Sequence, residues 1–201
     1  MIATDFIAET CLLPEDSQDW LSGENVPQVI VLWGGVTEPE ITAFLISLAR
    51  YSQFAEFKDF SAIGHLAAQS ETLLLAGGIR ITSGENVILP GCCCGIESWR
   101  EQLRALEGYP VWLGHDPAPW SEVNGQDVLF WADGGLGEKR SDVQIRIARS
   151  QVPMLQLKLA RDMAGFLSAL RRWSHFHMDP SAAETFVTKL DSAWRISNPR
   201  A

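Results

Sequence analysis

Apolar and polar positions alternate along the chain in blocks that change period several times. QVIVLW, residues 28–33, is an almost unbroken apolar run closed by Gly34 and Gly35, the pattern of a buried strand. Thr37-Glu38-Pro39-Glu40 then has the spacing of a helix-capping box, and Ile41, Phe44, Leu45 and Leu48 fall on one helical face behind it. From Thr72 to Pro90 the period shortens to that of strands: TLLLAGG, IRIT and VIL are separated by turn-forming SGEN. Ile96, Trp99, Leu103 and Leu106 restore helical spacing over 95–107, with Gly108 placed to stop the helix. WLGHDPAPW, 112–120, is too rich in Pro and Gly for a regular element, and its two tryptophans predict an ordered loop.

A second hairpin follows, with Asn124-Gly125 between SEV and DVLFWAD. DVQIRI alternates, placing Val143, Ile145 and Ile147 on one face and Gln144 and Arg146 on the other, as in a half-solvated antiparallel strand. Leu155, Leu159, Met163, Phe166, Leu170 and Trp173 form the stripe of a long amphipathic helix. Asp179-Pro180 opens a last helix carrying Phe186, Val187, Leu190 and Trp194. Residues 1–27 carry Pro14, Asp16, Asp19, Gly23 and Pro27 with little periodicity and predict a loop-rich N-terminal arm. The sum is an α+β fold: a mostly antiparallel sheet of five or six strands with helices packed on it, ending in two helices. With 201 residues, no repeats and no linker, the expectation is one domain spanning 1–201.

Composition narrows the partners. Charged residues are 20% of the chain and the net charge is −9, so repulsion from phosphates excludes nonspecific nucleic-acid binding and adhesion to an anionic membrane. No apolar run reaches membrane-spanning length, and MIATDFIAETCLL lacks the basic flank of a secretory signal. Three of the four cysteines are adjacent, which cannot make an ordinary disulfide framework and points to a reducing cytoplasm. Eight tryptophans favour a partner surface.

The chemistry concentrates at ILPGCCCGIESW, 88–99. Adjacent side chains ordinarily diverge and no second Cys or His pair is present, so neither a metal nor another cofactor is expected, although His115 and Asp116 could complete a set. As a nucleophile, Cys93 or Cys94 would sit at a helix N-terminus with His115 as general base. The simplest reading makes the three sulfurs small buried packing at a strand-to-helix corner. LWGGVTEPE lacks both G-x-G-x-x-G and a Walker lysine, and Glu38 and Glu40 would repel a phosphate. His175 and His177 lie two apart, on different helix faces, and read as exposed caps.

Acidic residues gather around the second hairpin: Asp116, Glu122, Asp127, Asp133, Glu138 and Asp142. Together with Trp120 they predict an anionic, aromatic surface for a basic partner, with Asp116, Trp120, Glu122, Asp127, Asp133 and Glu138 as contact residues. PGCCCGIESW, WLGHDPAPW and DMAGFLSALRRW resemble a family of small bacterial proteins of uncharacterised activity over roughly residues 72–175. By size, acidity and mixed fold the chain also resembles immunity proteins of bacterial polymorphic toxin systems. That resemblance implies a cytoplasmic inhibitor that covers a toxin domain. The alternative is a cysteine-dependent enzyme acting on a small substrate.

Overall fold

The structure, a computed structural model, describes residues 1–12, 20–21, 27–54, 57–137 and 142–197. The chain divides into two compact units, each assembled from separate stretches. The first takes Met1–Ile7 and Ala76–Arg161, the second Ala8–Leu75 and Asp162–Ala201. The class is α+β, but among the described residues seven strands form two sheets where one of five or six was expected. The strands are β1 (Ile2–Glu9), β2 (Val29–Val31), β3 (Gly77–Ser83), β4 (Asn86–Ile88), β5 (Trp120–Asn124), β6 (Asp127–Trp131) and β7 (Gln144–Ala148). They are ordered β2-β1-β3-β4 and β5-β6-β7. Sequence periodicity marks strands and hairpins but not the non-local placement of β1 between β2 and β3. Among the described residues no helix is long and apolar enough to cross a membrane.

Residues 2–9, read above as part of a loop-rich arm, form β1. Thr4, Phe6 and Ala8 alternate inward and are buried, with Ile7 buried on the other face. The polar members hid the strand. Asp5 points away from Phe6 and receives Arg80 Nη2 at 2.9 Å and Lys158 Nζ at 3.1 Å, while Lys158 also donates to the Thr4 carbonyl at 2.7 Å. Burial pushes the Asp5 carboxyl up, but hydrogen bonds and charge from Arg80 and Lys158 outweigh it and hold the group below the usual carboxylate value.

Both hairpins of the first unit close on two-residue loops with glycine first. Ser83 pairs with Asn86 around Gly84-Glu85, and Asn124 with Asp127 around Gly125-Gln126. Gly84 and Gly125 take φ of +61° and +62°, which glycine adopts without a Cβ penalty. The second turn is thus centred one residue later than Asn124-Gly125. In β6 and β7, Val128, Phe130, Ile145 and Ile147 are buried on one face, and Trp120 and Trp131, opposite each other in register, stack at 5.9 Å. The helix expected over 95–107 is broken: 3-10 turns at 96–98 and 103–107 flank a single α-helical turn, α3 (Trp99–Gln102). Gly108, with φ +84°, ends it as expected.

The second unit is helical. α1 (Glu38–Tyr51) starts at the Thr37–Glu40 capping box. α2 (Phe60–Gln69), not anticipated from sequence, is capped by Asp59, whose carboxylate accepts the Ala62 N–H at 2.7 Å. α4 (Val152–His177) passes from the first unit into the second with Leu159, Met163, Phe166, Leu170 and Trp173 buried, and α5 (Pro180–Trp194) buries Phe186, Val187, Leu190 and Trp194. Phe44 meets Phe166 and Trp194 edge-on at 4.8 and 5.9 Å, and Trp194 Nε1 donates to the Leu73 carbonyl at 2.9 Å. Gly165 of α4 lets the Gly34 turn lie directly on the helix; a Cβ there would come within 3.0 Å of the Gly34 nitrogen. His175 and His177 are both exposed, as expected, and His177 also stacks on Trp173 at 4.2 Å and pairs with Glu38 at 3.3 Å.

Two outcomes follow for stability. Replacing Gly165 by Ala forces backbone apart and should cost about 1–3 kcal/mol in chemical denaturation. Asp5→Asn should cost about 1–3 kcal/mol at neutral pH. Because the folded Asp5 carboxyl titrates below its unfolded value, this contribution is present above the unfolded pKa and is lost as pH falls through the folded one. Denaturation curves of the two proteins should therefore converge on acidification.

Candidate functional site

Two irregular segments of the first unit meet at the cysteine cluster, and main-chain bonds hold them. The Gly91 N–H donates to the Leu113 carbonyl at 2.8 Å, the Cys92 N–H to the His115 carbonyl at 2.7 Å, and the His115 N–H to the Cys92 carbonyl at 3.1 Å. Cys92 and His115 thus form a one-residue antiparallel bridge. The approach requires glycine on both sides. A Cβ on Gly91 would strike the Pro117 carbonyl oxygen and lie 2.7 Å from the His115 nitrogen, and one on Gly114, whose φ is +98°, would lie 2.6 Å from the Gly91 Cα.

The far side of the corner is fixed from the core. The Gly77 N–H donates to the Cys94 carbonyl at 2.9 Å, and Ala76 bridges Gly95. Gln102 is fully buried and fully used: its Oε1 accepts the Ile79 N–H at 2.9 Å, and its Nε2 donates to the Gly95 carbonyl at 2.9 Å and to Ser98 Oγ at 3.1 Å. A buried amide with these partners ties the corner to β3. Gly78 makes room for it; a Cβ there would be 2.7 Å from Gln102 Oε1 and 3.1 Å from the Cys94 sulfur.

This frame sorts the three cysteines. Cys94 is buried and is packing, as the simplest reading of the corner had it. Cys92 and Cys93 are exposed, so that reading fails for two of the three. Cys94 is therefore removed from the candidate nucleophiles, and the short, 3-10-flanked helix behind it supplies no N-terminal site for Cys93. The thiol that meets His115 is Cys92: its Sγ lies 2.7 Å from Nδ1 and 3.6 Å from Nε2. Cys93 has φ of +60°, a left-handed conformation costing a non-glycine residue about 1–2 kcal/mol. That turn also overrides the expectation that neighbouring cysteines diverge, for one ligand atom from each of Cys92, Cys93 and His115 lies within 4.8 Å of the others.

Asp116 does not orient the imidazole in the manner of a catalytic triad. Its Oδ2 is 3.5 Å from Nδ1, the nitrogen nearer the sulfur, and its side chain is 89% exposed. The Trp112 ring, 53% exposed, stands edge-on to His115 at 6.0 Å. A cleft of about 450 Å³ elsewhere in the first unit, lined by Tyr109, Val123, Arg149 and Val152 among others, shares no lining residue with the cluster.

The acidic surface is less available than its sequence suggests. Asp127 is paired with Arg146 Nη1 at 2.9 Å, and the Asp133 carboxylate accepts the Ala118 and Gly134 N–H groups at 2.9 and 2.8 Å, which makes it a loop staple. Trp120 is half-buried in its stack with Trp131, Glu122 is half-buried, and Asp116 is exposed. Glu138 lies outside the described residues. Gln102, Gly91 and Gly114 were not singled out from sequence; the positions of the two glycines beside Cys92 and His115 were the available signal.

Compared with family models, curated proteins and solved structures, the chain finds no match. Gly91→Ala should separate the two segments, lowering stability by about 2–4 kcal/mol and making the alkylation rate of Cys92 insensitive to replacement of His115. Denaturation curves and timed peptide mapping measure both.

Proposed function

We propose that the protein is a cysteine-dependent enzyme acting on a small substrate, with Cys92 as nucleophile and His115 as its base. The observation that carries this reading is the 2.7 Å contact between Cys92 Sγ and His115 Nδ1 on an exposed surface. An imidazole so placed can take the thiol proton as sulfur attacks an electrophilic carbon. The S–C bond forms, the proton resides on His115, and the imidazolium returns it to the departing group. Water, deprotonated by the same imidazole, then releases the product and restores the thiol. The main-chain bridge between Cys92 and His115 supports the reading because it fixes both partners without using their side chains.

A second reading, the inhibitor of a basic partner such as a toxin domain, is favoured by Trp112 and Asp116, both exposed beside His115. It draws on fewer carboxylates than the sequence offers, since Asp127 and Asp133 are engaged within the fold.

Brief iodoacetamide treatment of the reduced native protein should label Cys92 first and spare Cys94 until denaturation. His115→Gln should slow Cys92 labelling by about tenfold or more, the scale of general-base assistance, with melting temperature unchanged. Labelling of Cys92 at the rate of a small-molecule thiol, unaffected by His115→Gln, would overturn the reading.

A further inference from the structure

Cys93 has no part in the proposed attack, yet the chain holds it in a strained conformation within reach of both reacting partners. We infer that Cys92, Cys93 and His115 form a binding site for a thiophilic divalent metal ion of the zinc class. The inference concerns the same site as the proposed chemistry but stands on the convergence of the third donor.

Two sulfurs and one imidazole nitrogen are the donors that zinc prefers, and three protein ligands leave a fourth position for water or an exchangeable group. Tetrahedral coordination with zinc–sulfur near 2.3 Å and zinc–nitrogen near 2.0–2.1 Å sets sulfur–sulfur and sulfur–nitrogen separations of about 3.8 and about 3.5 Å. The three donor atoms already lie within 4.8 Å of one another, so ångström-scale side-chain adjustments suffice, including the opening of the 2.7 Å Cys92–His115 contact. Cys92 and Cys93 are exposed and His115 is half-exposed, so an ion can enter from solvent.

The backbone supplies a second argument. Among the described residues, four non-glycine residues have positive φ: Gln53, Cys93, Asp116 and Arg195. One of them, Cys93, is a ligand of this site, and a second, Asp116, directly follows the ligand His115. A left-handed residue at 93 reverses the chain between consecutive cysteines and carries their sulfurs toward one point, a placement that extended neighbours cannot achieve. Burying Cys94 and hydrogen-bonding the corner through Gln102 holds that reversal in place.

Binding is a ligand exchange. The aqua ion gives up waters, the two thiols release their protons to solvent, sulfur and nitrogen lone pairs occupy the vacated positions, and no electron changes hands. A coordinated Cys92 sulfur shares its charge with the ion and is a weaker nucleophile, and the coordinated His115 nitrogen no longer serves as a base. Metal loading therefore competes with thiol attack at one site, and the ion is a reversible mask on the nucleophile.

Cobalt(II) titration of the reduced, metal-free full chain should give one equivalent of binding with a thiolate-to-cobalt charge-transfer band, displaced by zinc(II). Cys92→Ser, Cys93→Ser and His115→Gln should each weaken binding at least tenfold in chelator competition, while Cys11→Ser leaves it unchanged. Zinc loading should also protect both Cys92 and Cys93 from iodoacetamide. Absence of the band, or Cys93→Ser binding as tightly as the parent, would overturn the metal site. His115-dependent alkylation of the metal-free protein is scored separately, so either idea can fail alone.

Discussion

Everything distinctive about this protein depends on two glycines allowing main chains to touch. Gly91 and Gly114 bring their segments so close that a single methyl on either would collide with the other segment. The resulting hydrogen bonds between Cys92 and His115 are backbone bonds, and so the two residues are held opposite each other without using their side chains. The buried Gln102 does for the downstream side of the corner what the glycines do for the upstream side. It consumes backbone polar groups that would otherwise be stranded in the core.

The regular elements were legible where local chemistry decides them. The Thr37–Glu40 box rests on contacts within a few residues and the stripes through Leu159–Trp173 and Phe186–Trp194 repeat at helical spacing, and all appear; both hairpins appear too, the second with its loop at Gly125-Gln126 instead of Asn124-Gly125. β1 was not legible because Thr4 faces inward and Asp5 is balanced by Arg80 and Lys158, partners 75 and 153 residues away. The broken 95–107 helix also carries a long-range tie, for Gln102 accepts the Ile79 N–H from 23 residues away. Helical periodicity carries no information about that tie.

At the site, residue types were legible and roles were not. Three cysteines, His115 and Asp116 were all identifiable as chemistry-bearing, but it is the main-chain bridge between Cys92 and His115 that brings the Cys92 sulfur to the ring, and neither that bridge nor the positive φ at Cys93 leaves a mark in composition or spacing. The acidic patch shows the converse. Asp127 and Asp133 looked like surface charge because sequence cannot reveal that one is paired with Arg146 and the other caps loop N–H groups.

The arrangement of Cys92 and His115 separates scaffold from reagent. Their alignment is written in glycines and peptide bonds, so the atoms that do chemistry are passengers on a mount that does not need them in order to form. Because the bridge is made by backbone groups, exchanging sulfur for oxygen at 92 or imidazole for an amide at 115 removes none of the hydrogen bonds that join the two segments.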